Sequence, residues 1–413
     1  DRREAQGFAR TGGGGGFWDL TKYIESGEYP NLVAYDDQVQ EAASVNGKIY
    51  GVMRKRDLIR YVLILRQDWL DNLGLEAPTT TEELKEVARA FTEDGPDGNG
   101  VDDTFGMFNG SWSGIGQSTP LDAIEVWFGA GNVWREEEGE LIPVWYTDEF
   151  KEALDYSREF FENGWMEPDF PTADNTKTNE KFFAGQTGML VGVSSWFNDL
   201  YKLAKEIDPA TADGLMTIEG QPEGPNGTYA LPSAGYSGFL AISKAKVKTE
   251  ADLKKVLEVL DTMASEKAQR LLVNGIESEN YEEVDGYAKY LDSGADLTTS
   301  VQQAWFQVNT AANGVTSLPA LPSSDYDAEI QESIKSFAER DLENAVFNPA
   351  AGLVSPTYIT KGAQLDQIIS DARMQYIVGA IDEAGLDAAI ENWKASGGEQ
   401  VIAEYNELYK AND

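Results

Sequence analysis

The chain of 413 residues carries 33 Lys plus Arg against 71 Asp plus Glu, so 33 − 71 leaves a formal charge of −38, and it contains no Cys and no His. That excludes disulfides, thiolate zinc sites, iron–sulfur clusters and cysteine nucleophiles, and every mechanism that needs an imidazole base or ligand. Any metal must be hard and oxygen-ligated, and a polyanionic nucleic acid is excluded as a partner because its capture relies on clustered cations. With 41% hydrophobic residues the chain can bury a core, its length predicts two or three domains, and no apolar run approaches the roughly 20 residues of a membrane span.

In chain order, Asp1–Gly16 ends in the run Gly12 to Gly16. Such a run is a flexible joint, and the strand, helix and Lys-Ser/Thr of a phosphate loop are missing around it. No leader precedes Asp1, so any export signal is expected to have been removed. Tyr61-Val-Leu-Ile-Leu65 is a short apolar run predicted as a buried strand. Thr80-x-x-Glu83 is a capping box that opens a helix, with Leu84, Val87, Ala88 and Phe91 on one face. A second helix is predicted over 150–161, strands over 188–193 and 238–243, and a helix from the Thr249-x-x-Asp252 start. The C-terminus reads as helix, a break at Gly397-Gly398, and helix again. Strands alternating with helices predict an α/β protein with mainly parallel sheets, and no internal repeat is visible.

Residues 94–104 read Asp-Gly-Pro-Asp-Gly-Asn-Gly-Val-Asp-Asp-Thr. Asp97, Asn99, the Val101 carbonyl and Asp103 fall at alternate positions, and Gly98 and Gly100 permit a tight wrap. This is the way an EF-hand-like loop gathers oxygens round Ca²⁺. With Asp97 at position 3, Gly100 is the turn glycine at position 6. Position 1 is then Gly95, and no Glu stands at position 12. The pattern predicts a structural calcium site; a plain acidic turn is the alternative.

Arg54, Arg56, Arg60 and Arg66 crowd into 13 residues. Bidentate carboxylate recognition is one reading, and salt bridging to the acidic surface is the other. Among the ten Trp, Trp69 and Trp393 fall on apolar helix faces and are predicted core. Trp196 follows a strand directly and Trp112 lies in the polar loop Asn-Gly-Ser-Trp-Ser-Gly, where open α/β sheets bind ligands. Both are candidates to stack on a sugar face, and Trp305 fits either role.

Several stretches together resemble the family 1 extracellular solute-binding proteins of ABC importers, the carbohydrate-binding lipoproteins in particular. They are Asn46-Gly-Lys-Ile-Tyr-Gly-Val-Met-Arg54, Leu65-Arg-Gln-Asp-Trp-Leu-Asp-Asn-Leu-Gly-Leu75, Pro78-Thr-Thr-Thr-Glu-Glu-Leu84, and Asp97-Gly-Asn-Gly with Asp103-Thr. Further along come Phe182-Phe-Ala-Gly-Gln-Thr-Gly-Met189, Gly224-Pro-Asn-Gly227, and Ile377-Val-Gly-Ala leading to Trp393 and Glu404-Tyr-Asn-Glu-Leu-Tyr409. In this order they cover about residues 17–413. The resemblance implies two α/β lobes with ligand in the cleft between them, lobe 1 from 1–61 plus 236–320 and lobe 2 from 62–235 plus 321–413. Hinge strands are expected near Tyr61 and Gly235-Tyr236. Members begin with a further βαβ stretch and a lipobox Cys ahead of the segment matched at Asp1, so lobe 1 is expected to lack its first strands.

The expected function is capture of an oligosaccharide outside the cell for an ABC importer, by a monomer anchored at the cell surface as a lipoprotein in its full-length form. Trp196, Trp112, Tyr236, Arg54 and Trp305 are the expected ligand contacts, and Asp97, Asn99, Val101 and Asp103 the Ca²⁺ ligands. The competing readings are a glycoside-processing enzyme, which needs two carboxylates about a scissile bond, and a peptide-binding protein of the same two-lobed shape.

Overall fold

The computed structural model describes residues 15–33, 36–45, 47–108, 114–294 and 317–412. The described strands, in chain order, are β1 (Gly51–Lys55), β2 (Tyr61–Arg66), β3 (Phe105–Phe108), β4 (Trp134–Glu137), β5 (Glu140–Pro143), β6 (Thr187–Val193), β7 (Met216–Glu219), β8 (Tyr236–Ala241), β9 (Tyr281–Val284) and β10 (Tyr287–Tyr290). The helices used below are α1 (Gln67–Leu73), α2 (Thr81–Glu93), α3 (Pro120–Trp127), α4 (Asp148–Glu162), α5 (Ser194–Ile207), α6 (Glu250–Met263), α7 (Asp325–Leu342), α8 (Pro356–Ile377), α9 (Glu383–Trp393) and α10 (Glu399–Asn412).

The central sheet has the order β3-β6-β2-β7. β2 is its spine because both of its faces are covered. A strand alternates sides at every residue. Tyr61, Leu63 and Leu65 accordingly enter the core packed by α2, α3, α4 and α8. Val62 and Ile64 enter a second core with Leu190 of β6, Phe197 and Leu200 of α5, and Ile330 of α7. Leu63, Ile64 and Leu65 are fully buried, each contributing roughly 1.5–3 kcal/mol of hydrophobic transfer.

The sheet corrects the expectation of mainly parallel pairing. β2 runs antiparallel to both β6 and β7, and among the described strand pairs only β3 with β6 is parallel. A strand buried on both faces is a continuous apolar run whichever way its neighbours point. Strand direction is set by the long connections, which leave no mark in the runs.

The capping box forms as read: Glu83 N–H donates to Thr80 Oγ1, and Thr80 N–H to Glu83 Oε2, both at 3.2 Å. Leu84, Val87, Ala88 and Phe91 are all buried. Trp69 and Trp393 are core at 0% and 2% exposure. The C-terminal helices are clamped by edge-on ring pairs, Trp145 to Trp393 at 4.8 Å and Trp134 to Tyr405 at 4.9 Å between centroids. The break at Gly397-Gly398 is a wide π-type turn over Lys394–Gly398 in which Gly397 takes φ 134°, a value that only glycine adopts cheaply.

A separate core joins Leu20, Ile24, Leu32, Val52, Ile242, Leu253 and Leu257, under the β1–β8 pair and α6. Two segments run side by side between it and the sheet cores. Ser233 N–H donates to Leu58 O at 2.6 Å, and Arg56 N–H to Gly235 O at 2.8 Å. A third segment lies along them, with Val346 N–H bonded to Ala230 O at 2.9 Å.

Candidate functional site

The crossing segments gather the candidate ligand residues. On one side, the Arg60 carbonyl accepts from Ser194 N–H at 2.7 Å, and Arg60 Nη2 donates to Ser195 Oγ at 3.2 Å. These bonds hold the end of β2 against the first turn of α5. Trp196 sits in that turn and not in a loop, because the helix begins at Ser194, directly after β6. The Arg60 carbonyl takes one of the free N–H groups of the helix start, which fixes the turn. The indole is half-buried, packed on the second sheet core. Its Nε1 donates to Asn179 Oδ1 at 2.9 Å, and its ring edge lies where a Cβ on Gly192 would stand, 2.5 Å from Cε3. The ring is therefore held at its edge and its nitrogen, with part of its surface in solvent.

On the other side, Tyr236 opens β8 opposite Lys55. Its ring lies 4.8 Å from Phe239 and packs with Met53 and Leu58, and burial raises its hydroxyl pKa. The pairing slips between Met53 and Lys55, where Gly238 takes φ +89°. Such a bulge re-aims the side chain opposite it, and that side chain is Arg54. Its Nη1 lies 4.0 Å from a Cβ placed on Gly238, and its Nε is buried with no hydrogen-bond partner among the described residues. Trp196 and Tyr236 belong to different packing clusters.

The arginine run separates into two kinds. Arg66 is structural, with a bidentate pair to Asp68 at 2.7 and 2.5 Å over the Trp69 ring. Arg54, Arg56 and Arg60 instead crowd one another. Burial first, then the charges of Arg54 and Arg60, lower the pKa of the Arg56 guanidinium, with Asp57 opposing. The importance of Arg60 was not singled out from sequence; its position one residue ahead of a buried strand is the signal that could have found it.

A cavity of about 360 Å³ lies beside the third segment, with Trp134, Tyr229 and Phe347 in its wall and the Arg135–Glu149 pair, 3.1 Å, at its rim. Tyr229 and Phe347 lie in crossing segments with neither helical nor strand periodicity, so no pattern drew attention to them.

Beneath the site, Arg373 of α8 donates from Nη1 to Asp122 at 2.9 Å and to Glu125 at 2.8 Å, all three buried. Asp122 also accepts the N–H groups of Gly116, Gln117 and Thr119, and the Tyr61 hydroxyl donates to Ser118 O. This anchors the 114–119 loop to β2. Trp112 and Trp305 lie outside the described residues.

In the 94–104 loop, Asn99 Nδ2 donates to Asp97 Oδ2 at 2.6 Å and reaches Asp103 Oδ1 at 3.4 Å, while its Oδ1 accepts from Val101 N–H at 2.6 Å. Asp97 and Asp103 thus both lie within reach of the Asn99 amide. Asp94 is drawn away by Arg89 at 3.0 Å. Gly95, Gly98 and Gly100 take positive φ. The donor set of two carboxylates and an amide suits a hard cation, provided the Asn99 amide turns its oxygen inward. No group of three or more carboxylates suited to a metal is found among the described residues, and no described helix is long and apolar enough to cross a membrane.

Comparison with known proteins places these features. The bacterial extracellular solute-binding protein family matches residues 8–270. Lipoprotein LipO of Bacillus subtilis (strain 168) is 39% identical over 99% of this chain and 80% of its own length. The polygalacturonan/rhamnogalacturonan-binding protein YtcQ of the same organism is 33% identical over 96% of this chain and 76% of its own. Among solved structures, an HMO-binding, ABC-transporter-associated solute-binding protein from Bifidobacterium longum infantis ATCC 15697 superposes with a TM-score of 0.70 at 17% identity, covering 97% of this chain and 85% of that one.

Proposed function

Because the chain belongs to the family of bacterial extracellular solute-binding proteins, we propose that it captures an oligosaccharide between two lobes and hands it to the membrane subunits of an ABC importer. The observation that carries this reading is the pair of segments, 56–60 and 231–235, that run between separate cores with Trp196 on one side and Tyr236 on the other. Lobe 1 is residues 1–61 with 236–320 and lobe 2 is 62–235 with 321–413, in line with the separate cores. Two bodies joined by a few strands close as a hinge. Rings exposed at the crossing stack on the apolar face of a sugar, while Ser195 and the arginines take its hydroxyls. The names of YtcQ and of the HMO-binding protein support a saccharide ligand.

The protein acts as a monomer, releases its ligand unchanged and is not an enzyme. Its full-length form is anchored at the cell surface as a lipoprotein, in keeping with the relative LipO. Asp97, Asn99, Asp103 and the Val101 carbonyl hold a structural Ca²⁺, which ties the end of α2 to the start of β3. The test is a thermal-shift screen against neutral and acidic oligosaccharides: a ligand bound only by the folded state raises the melting temperature. No shift with any saccharide, alongside a shift with peptides, refutes the reading.

A further inference from the structure

A carboxylate has lone-pair room for about four hydrogen bonds, and Asp122 fills it. Its Oδ2 accepts from Gln117 N–H at 3.0 Å and Thr119 N–H at 2.9 Å, and its Oδ1 from Gly116 N–H at 3.2 Å and Arg373 Nη1 at 2.9 Å. Burying Asp122, Glu125 and Arg373 together costs desolvation that an apolar contact between two helices avoids. What the arrangement secures is the 114–119 loop. Two further bonds hold that loop: Ile115 N–H donates to Ser370 Oγ of α8 at 3.2 Å, and the Tyr61 hydroxyl donates to Ser118 O. Ser118 takes φ 55°, a left-handed conformation that a serine keeps only where its surroundings impose it, as they do at binding sites.

The loop stands at the edge of the central sheet that carries Trp196. β2 begins at Tyr61 opposite Val193, the last residue of β6, and β3 runs parallel to β6 and ends at Phe108. Ligands of open α/β sheets bind beyond such carboxyl ends. Direct contacts join the loop to the tryptophan. Ser195, next to Trp196, accepts from Arg60 Nη2 at 3.2 Å, and Tyr61, next to Arg60, donates to Ser118. Within the loop Gln117 is exposed. Its side-chain amide folds over the bare backbone of Gly114, with Cδ, Nε2 and Oε1 2.4, 2.5 and 2.6 Å from where a Cβ would stand. Among the described residues that amide makes no side-chain hydrogen bond.

We propose that Gln117 is a specificity-determining contact for the bound saccharide, and that Asp122, braced by Arg373, is the positioning residue that presents it. The proposal rests on the saccharide-binding reading above. An amide offers an acceptor and two donors in one plane, a pattern that pairs with two neighbouring sugar hydroxyls. Stacking on Trp196 is indifferent to hydroxyl stereochemistry, whereas the directed pair at Gln117 is not. Holding the amide against Gly114 before the ligand arrives reduces the entropy lost on binding.

The test is calorimetric titration of the full chain with the β-1,4-linked tetramers of glucose, mannose, galactose and xylose, with maltotetraose and with tetragalacturonate. Gln117→Ala weakens the best-bound tetramer about 10-fold, the worth of one or two neutral hydrogen bonds, and narrows the spread of affinities across the panel. The melting temperature of the free protein is unchanged, because the side chain is exposed. Gly114→Ala places a methyl group where the amide lies and weakens binding likewise; combined with Gln117→Ala it adds nothing. Asp122→Asn turns an N–H donor toward the loop and also weakens binding, again with little further effect once Gln117 is alanine. Gln367→Ala, on the exposed face of α8, leaves affinity intact. Native affinity and selectivity in Gln117→Ala overturn the proposal and leave saccharide binding standing. Full additivity of Asp122→Asn with Gln117→Ala overturns the positioning role of Asp122. Absence of binding by the native chain to every tetramer removes the saccharide reading and the proposal with it.

Discussion

Arg373 Nη1 lies 2.8 Å from Glu125 Oε1, joining α8 to α3 across a fully buried gap. Burial pushes the Glu125 pKa up; the Arg373 charge pulls against it and the Asp122 carboxylate adds to it, with the outcome about 7 against an ordinary 4.5. The folded protein therefore binds a proton that the unfolded chain has lost between those values. The stability this supplies is full below pH 4.5 and is lost as pH rises through about 7. The melting temperature should fall from pH 5 to pH 8. Glu125→Gln keeps the acceptor and removes the titration, so it should flatten that slope. An unchanged slope in the variant assigns the pH dependence to other groups.

Trp196→Ala should weaken oligosaccharide binding. A sugar face on an indole buries roughly 60–100 Å², which at about 25 cal/mol per Å² gives ~1.5–2.5 kcal/mol, or about 10- to 70-fold in affinity. The half-buried ring and its bond to Asn179 predict only a modest loss of stability in the free protein. If instead stability falls by the ~3–5 kcal/mol of a core tryptophan while the folded fraction binds normally, the ring is packing alone.

Calcium should raise the melting temperature and chelator should lower it. Asp97→Ala with Asp103→Ala should abolish the difference. With two carboxylates and Asp94 engaged by Arg89, the affinity should resemble the ~10⁻⁴–10⁻³ M of extracellular modules. Identical melting curves with chelator and with excess Ca²⁺ contradict the site.

Gly188 is fixed by its neighbours. A Cβ there would lie 2.4 Å from both Phe91 and Trp69, which are themselves fully buried and cannot move aside. Gly188→Ala should cost about 1–3 kcal/mol through overpacking, read as a lower urea midpoint with ligand affinity per folded molecule unchanged. An unchanged midpoint means that β6 can shift against α1.

Local chemistry was readable where it is local. Thr80 and Glu83 specify a helix start by themselves, and Tyr61–Leu65 specify a buried strand by themselves. The antiparallel direction of β2 was not readable, because it depends on where chain more than a hundred residues away returns. The helical placement of Trp196 depended on the distant Arg60 carbonyl that receives Ser194. Arg66 and Arg60 look alike in sequence; Asp68, two residues on, makes one structural, and only the fold shows that Arg60 has Ser195 as its partner instead. Tyr229 and Phe347 flank an isolated bridge between Ala230 and Ala345, too short to impose a period on side chains.

The central claim is capture without chemistry, and calorimetric titration with recovery of the ligand tests it most directly. The protein is titrated with the saccharide that gives the largest thermal shift, then denatured, and the released saccharide is sized by chromatography. The account predicts saturable binding of one ligand per chain and a saccharide recovered at its original length. Shortened products that accumulate with time, or saturable binding absent for every saccharide, would contradict it.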